Sequence, residues 1–291
     1  MTDKAFIIKT MTRAELDLAI AWAAQEGWSP GFHDADSYYK ADPNGFLMGY
    51  LDDEPIACIS VIKYDDSFGF LGFYIVKPAY RGQGYGIQMW QAGLRYLDAC
   101  NIGLDGVVEQ QENYKKSGFQ LAYGNIRFAG NTSDFVHANK ALTSAETIDL
   151  VPLAEIPFPT LDAYDRAFFP ATRSEFTQQW ITQKDSHAVG VLHDGVLSGY
   201  GVIRPTQDGY KIAPLFADTP ELAERLFLHL IALVKGDAAI FIDVPNVNEA
   251  GMELVKCFDM TPCFETARMY TGPAPALPLS KIFGVTSFEV G

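Results

Sequence analysis

Three glycines at every second position, Gly82, Gly84 and Gly86, stand between an apolar run ending at Val76 and a helical periodicity that starts at once. Spacing of this kind suits one chemistry above others. A helix N-terminus offers unpaired N–H groups and the positive end of its dipole, and glycine lets an anion approach the backbone closely. Arg81-Gly-Gln-Gly-Tyr-Gly86 is therefore expected to cradle a pyrophosphate, the alternative being a glycine-rich turn with no ligand. The spacing is not the G-x-G-x-x-G of a dinucleotide site, and no Lys-Ser or Lys-Thr follows as in a Walker loop. No G-x-S-x-G elbow occurs, and the five histidines form no ligand pair, so neither a serine hydrolase nor a metal centre is expected.

The elements around the loop are legible. Leu71 to Val76 reads as an apolar strand, and Ile87, Trp90, Leu94 and Leu97 recur at helical spacing as a face expected to pack on a sheet. A strand over Gly103 to Val108 follows. Glu109 to Gly118 then reads as a short helix ended by glycine, and Phe119 to Phe128 as a returning strand. Upstream lie a strand at Phe6 to Thr10, a helix from Thr12, a break at Glu26 to Gly31 and a second short helix over Phe32 to Tyr39. A hairpin follows, with Asp52 to Glu54 as its turn.

Two motifs in the right order, the loop and Asn113-Tyr-Lys-Lys-Ser-Gly-Phe119, resemble the acetyl-CoA loop and the Asn…Tyr-x-x-x-Gly-Phe element of the GNAT N-acetyltransferases. The resemblance covers roughly residues 4–130. It implies that Arg81, Gly82, Gln83, Gly84, Tyr85 and Gly86 bind the pyrophosphate of acetyl-CoA. It also implies that backbone amides around Tyr74, Ile75 and Val76 face the thioester, that Tyr114 protonates the leaving sulfur, and that Asn113 fixes the local backbone or the pantetheine arm. In that fold the first helix–loop–helix covers the acceptor, which makes Trp28, His33, Asp34 and Tyr38 substrate-side candidates; an ordinary turn with an exposed aromatic is the other reading. Many relatives place a Glu in the strand before the loop, but Phe70 to Val76 holds no carboxylate. Glu109 is the preferred substitute as base, with His33, Asp34 or a chain of waters as alternatives.

After a connector from Ala129 to about Ser144 the chain repeats in outline with a period of ~140 residues. Ala188 to Ile203 parallels the first hairpin, Leu222, Leu226, Leu230 and Leu233 the long helix, and Thr266 to Gly272 the segment Asn125 to Gly130. At the loop position the second copy reads Ala217-Asp-Thr-Pro-Glu221, where Asp218 or Thr219 caps the helix and Glu221 answers its dipole. The stretches Ala213 to Asp218, Asp243 to Asn248, Glu265 to Gly272 and Phe283 to Ser287 resemble the two-domain YitH/HolE-type members of the family. The expected fold is α/β (α+β): tandem GNAT folds, each a mixed, mostly antiparallel twisted sheet flanked by helices. Residues 1–140 form the acetyl-CoA domain and 141–291 a second domain without a pyrophosphate loop. Asp243 and Arg268, with Asn246 and Asn248, either line an acceptor pocket between the domains or satisfy buried turns.

Composition agrees with a globular chain of 291 residues, 48% hydrophobic and 20% charged. A net charge of −14 excludes nucleic acid as partner; Lys77, Arg81, Lys115 and Lys116 are expected to offset it locally around a polyanionic cosubstrate. Cys58, Cys100, Cys257 and Cys263 read as buried thiols of a reducing compartment. No run reaches the ~18 apolar residues of a membrane span, and a cytoplasmic monomer or homodimer is expected. The reading is an N-acetyltransferase that moves acetyl from acetyl-CoA directly to a primary amine of a small molecule or peptide. The alternative is a non-catalytic acyl-CoA-binding or regulatory protein of the same fold.

Overall fold

A computed structural model describes residues 5–135 and 148–291. In the first half the order is β1 (Phe6–Thr10), α1 (Arg13–Gln25), α2 (Asp34–Ala41), β2 (Phe46–Leu51), β3 (Glu54–Lys63), β4 (Phe68–Val76), α3 (Tyr85–Tyr96), β5 (Asn101–Val107), α4 (Gln111–Lys116) and β6 (Gln120–Asn131). The second half repeats it with β7 (Ile148–Pro152), α5 (Phe158–Asp165), α6 (Ser174–Trp180), β8 (His187–His193), β9 (Val196–Thr206), β10 (Gly209–Ala217), α7 (Pro220–Ala232), β11 (Ala239–Pro245), α8 (Glu249–Cys257) and β12 (Thr261–Tyr270). A short β13 (Ile282–Gly284) is added near the end. The boundary expected at residues 140 and 141, and the later part of the connector, lie outside the described residues. Ala129 to Asn131, read as connector, are the end of β6.

Among the described residues, β1 to β12 join one sheet in the order β1-β2-β3-β4-β5-β12-β6-β11-β10-β9-β8-β7, with β13 beside β10. Of the described pairings only β4–β5 and β10–β11 are parallel. The repeat is thus a mirrored strand order with one exchange at its centre. The last strand of each half crosses over: β12 lies between β5 and β6, and β6 pairs with β11.

Local signals explain the elements. α1 starts in a capping box, Thr12 with Glu15. β3 is buried on both faces: Ala57, Ile59 and Val61 pack toward α3, while Cys58 and Ile62 join a core shared with α1, α2, α5 and α6. The face of α3 differs from the periodicity reading. Met89, Trp90 and Gly93 are buried, whereas Ile87 is 54% exposed, because it lies at the margin of the apolar face, round the helix from the Met89 and Gly93 side that meets the sheet. The cysteines also differ. Cys58 is buried and Cys100 half-buried, but Cys257 and Cys263 are exposed; all four are free thiols.

The two halves part company where their central parallel strands diverge. β4 and β5 pair from Phe68↔Asn101 to Leu71↔Leu104 and then separate. β10 and β11 pair from Tyr210↔Ile240 to Ile212↔Ile242, after which β13 fills the gap, pairing with β10 at Leu215↔Gly284 and Phe216↔Ile282. Val285 N–H then donates to the Asp243 carbonyl of β11 at 2.9 Å. Beyond β13 the chain runs back to the first half, where the Glu289 carbonyl accepts from Ser60 Oγ at 2.7 Å and the Val290 carbonyl from Tyr64 at 2.7 Å. At Gly72 the tail passes so close that a Cβ would lie 2.3 Å from the Glu289 carbonyl oxygen.

Candidate active site

The glycine loop is built as its composition requires. A 3-10 turn at Pro78–Tyr80 reverses the chain, and Gly82 and Gly84 then take φ of 75° and 85°, a left-handed region open to glycine at no steric cost. Gly84 caps α3 without any side-chain bond. Among the described residues, no amide from Gly82 to Gly86 donates to a side chain or to a carbonyl outside the helix. Space in front of Gly82 and Gly84 is open, since a Cβ at either would meet nothing within 4 Å. Unpaired amides at the positive end of a helix dipole are the arrangement that suits an anion.

The lysines and arginine expected to help are already engaged. Lys77 Nζ lies 3.0 Å from Glu54, Arg81 pairs with Glu26 and donates from Nε to the Val76 carbonyl at 2.8 Å, and Lys115 lies 2.6 Å from Glu112. Lys116 donates to Asn113 Oδ1 at 2.9 Å. An anion here is therefore met first by backbone.

From Tyr80, Gly82 and Gly86 a cavity of about 600 Å³ runs down between the separated ends of β4 and β5. One side is the β4 backbone from Gly72 to Val76, which bulges at Phe73, a non-glycine residue at φ 44°. Tyr114 closes the other side, its ring laid on Gly106 so tightly that a Cβ there would fall 2.1 Å from Cε2. Trp90 stacks on it at 5.5 Å. The Tyr114 hydroxyl has no protein partner among the described residues, and burial, helped by Tyr74, pushes its pKa up to about 12. At neutral pH it is a phenol with a proton to give and nothing in the fold to give it to.

Both halves match known acyltransferase families. Residues 14–119 match the Acetyltransferase (GNAT) family and residues 161–284 an Acetyltransferase (GNAT) domain. The holothin acyltransferase of Pseudoalteromonas sp. (strain SANK 73390) is 32% identical over 97% of this chain and 94% of its own length. The chain belongs to the GNAT acyltransferase family. The uncharacterized N-acetyltransferase YitH of Bacillus subtilis (strain 168) is 28% identical over 69% of this chain and 70% of its own. A crystal structure of a candidate acetyltransferase from Pyrococcus horikoshii, 21% identical, superposes with a TM-score of 0.78 over 100% of this chain and 98% of that one. The tandem GNAT fold and an acyltransferase activity follow.

In this acyltransferase the predicted residues divide sharply. Tyr74, Ile75, Val76, Arg81, Gly82, Gly86, Glu109, Tyr114 and Trp28 all border the cavity. Glu109 stands exposed at its rim on a 3-10 turn. Gln83, Gly84 and Tyr85 complete the loop beside it; Gln83 donates to the Ala79 carbonyl at 2.9 Å and Tyr85 packs on Phe6 at 4.9 Å. Asn113 does not reach the cavity, because its amide is held within α4 by Gln110 and Lys116.

Five acceptor-side candidates are also placed elsewhere. His33 lies 3.3 Å from Asp185 at the surface. Asp34 is fully buried, taking the Gly31 amide at 2.7 Å and pairing with Arg204 at 3.2 Å. Tyr38, in the core, donates toward Asp34 and Glu289. Asp243 binds Arg127 through both oxygens, at 2.6 and 3.0 Å, and Arg268 binds Asp105 likewise, at 2.9 and 2.6 Å. Burial acts to raise the Asp243 pKa, but Arg127 and Lys211 outweigh it and hold it below the usual carboxylate range. These two ion pairs occupy equivalent places either side of the exchanged strands, each joining one half to the other; breaking such a buried pair costs about 3–5 kcal/mol. Asn246 and Asn248 are structural as well, the first accepting from the Gly124 amide and the second capping α8.

The cavity is also bordered by residues the sequence did not single out as site candidates: Phe264 and Thr266 on β12, and Phe288 and Glu289 on the tail. Arg127 explains the aromatic pair. Its guanidinium lies 5.3 Å from both ring centroids while donating at 2.8 Å to the Trp28 carbonyl. Asp243 thus serves the site from behind, by fixing the arginine that holds its wall. The one available signal was the Phe283 to Ser287 stretch, whose family likeness stops two residues short of Glu289. No helix among the described residues is long and apolar enough to cross a membrane, and no cluster of three metal-ligating side chains occurs among them.

Proposed function

We propose that this chain is an N-acetyltransferase that moves acetyl from acetyl-CoA directly to a primary amine of a small acceptor. The reading is carried by the five free amides from Gly82 to Gly86, which open onto a cavity leading to the unpartnered Tyr114 hydroxyl. Diphosphate takes the amides, the pantetheine arm enters between β4 and β5, and the β4 amides near Tyr74 to Val76 polarise the thioester carbonyl. The amine attacks the carbonyl carbon and Tyr114 protonates the departing sulfur. A cavity of about 600 Å³ that must hold the arm as well leaves room for a compact acceptor. A relative named Holothin acyltransferase supports acyl transfer as the reaction. The residues 1–140 are assigned the donor site and 141–291 the second, loopless domain.

Titration calorimetry with acetyl-CoA tests the reading. One molecule should bind per chain, and Gly84→Ala should weaken binding by roughly tenfold or more, since a Cβ at a left-handed φ costs about 1–3 kcal/mol. Absence of heat with any CoA species in the wild-type protein would remove the donor site.

A further inference from the structure

Resting on the donor site just described, we propose that Glu289, delivered by the tail of the second half, accepts the proton of a small primary amine with a flat aromatic body bound in the first half's cavity. Strand β4 carries no carboxylate, so the proton must go elsewhere. Glu289 is 3% exposed and borders the cavity. Its main-chain carbonyl is fixed by Ser60, and its Oε2 accepts from Tyr38 at 3.0 Å and from Ser287 Oγ at 2.7 Å. Oε1 makes no protein hydrogen bond, yet it is not among the sealed, unpartnered buried atoms. One oxygen is anchored and the other is left facing the cavity.

Charged and titratable groups surround it from each packed element. Tyr38 and Asp34 lie on α2, Arg127 on β6, Arg204 on β9, Lys211 on β10 and Asp243 on β11. Both Arg127 and Lys211 feel the Glu289 charge, and Arg127 is neutralised by Asp243 at bonding distance. The carboxylate therefore sits in a setting where opposite charges compensate it.

The neighbouring walls define the acceptor. Trp28, Phe73, Phe264 and Phe288 give apolar aromatic faces, suited to a flat ring. The Thr266 hydroxyl at the same end has no partner in the fold. A carboxylate among rings fits a cationic amine on an aromatic body better than it fits a polyamine, whose further charges would lie unpaired.

The proton count closes. The bound ammonium gives one proton to Glu289 Oε1, and the free amine forms the C–N bond at the thioester carbon. The C–S bond breaks as Tyr114 protonates sulfur, and the nitrogen's second proton restores the phenol. Amide and thiol leave, and Glu289 returns its proton to water.

The test uses the full chain with acetyl-CoA and three probes, 2-phenylethylamine, tryptamine and benzylamine, against spermidine and glycinamide, with amide product measured by mass spectrometry. Glu289→Gln should lower kcat/KM for the aromatic amines by about 100-fold or more and abolish the rising limb of its pH profile, with acetyl-CoA affinity unchanged. Glu289→Asp should recover about tenfold of that loss. If Glu289→Gln does not fold, Glu289→Asp decides, by lowering kcat with unaltered acetyl-CoA affinity. The proposal is overturned if Glu289→Gln keeps the wild-type rate and profile, if Glu109→Gln shows the acceptor-side loss instead, or if spermidine or glycinamide is used in preference to all three probes. It is also overturned if a wild-type protein that binds acetyl-CoA acylates none of the three. Failure to bind acetyl-CoA at all would instead strike the donor site.

Discussion

The same cleft occurs twice in this molecule and only one copy is open. In the first half β4 and β5 separate after Leu71↔Leu104 and leave a cavity; in the second, β13 enters between β10 and β11 and pairs there. The helix that follows each cleft differs in step. α3 begins at an uncapped Gly84 with free amides, whereas α7 begins at Thr219, whose hydroxyl takes the Leu222 amide at 3.3 Å, followed by Pro220 and Glu221. Its surroundings are filled too, since Asp218 is bonded to Tyr164 and Lys281. A GNAT fold is therefore a frame around a gap, and the site is whatever the chain leaves unfilled. The two clefts are linked, because the chain that fills the second continues as the wall of the first.

The sharpest way to break this comparison is at the open cleft. Tyr114→Phe should reduce kcat by roughly 10²–10⁴ while leaving acetyl-CoA binding near wild type; an unchanged single-turnover rate would take the phenol out of the reaction. Next in size is the plug. Phe283 is fully buried in the second half's core, and Phe283→Ala should cost about 3–5 kcal/mol in urea unfolding. Calorimetry on that variant should still find one acetyl-CoA per chain, because the α7 cap remains closed; a second equivalent would show that the plug alone silences the second half. Smallest is the cap itself. Thr219→Ala should cost about 1 kcal/mol of stability with no change in turnover, and a loss of activity would mean that the second helix start does more than hold the fold.

Much of this was legible in the sequence, for stated reasons. Alternate glycines after a strand have few other uses, so the loop was readable from Gly82, Gly84 and Gly86. Tyr114 was picked out by the likeness of Asn113 to Phe119 to a family element, and it lies on the cavity; the closed start of α7 was readable from Thr219, Pro220 and Glu221. What escaped was set by partners far along the chain. An aspartate in an apolar strand looks alike whether it faces a ligand or a buried arginine, and Asp243 and Arg268 were of the second kind. Ile87 sat at the margin of the apolar face, on the side of the helix turned from the sheet. The exchange of β6 and β12 leaves the period unchanged, so a repeat search cannot show it. Glu289 enters the site 229 positions after the Ser60 that anchors it, without a local pattern to mark it.

The exchange also governs when the molecule can be finished. β5 is complete at Val107, but its outer neighbour β12 starts only at Thr261. A nascent chain emerging from the ribosome therefore carries an uncovered strand edge through most of its synthesis, the kind of edge that invites pairing with other chains. Closure of that edge waits for β12, and so does the part of the cavity wall formed by Phe264, Thr266, Phe288 and Glu289.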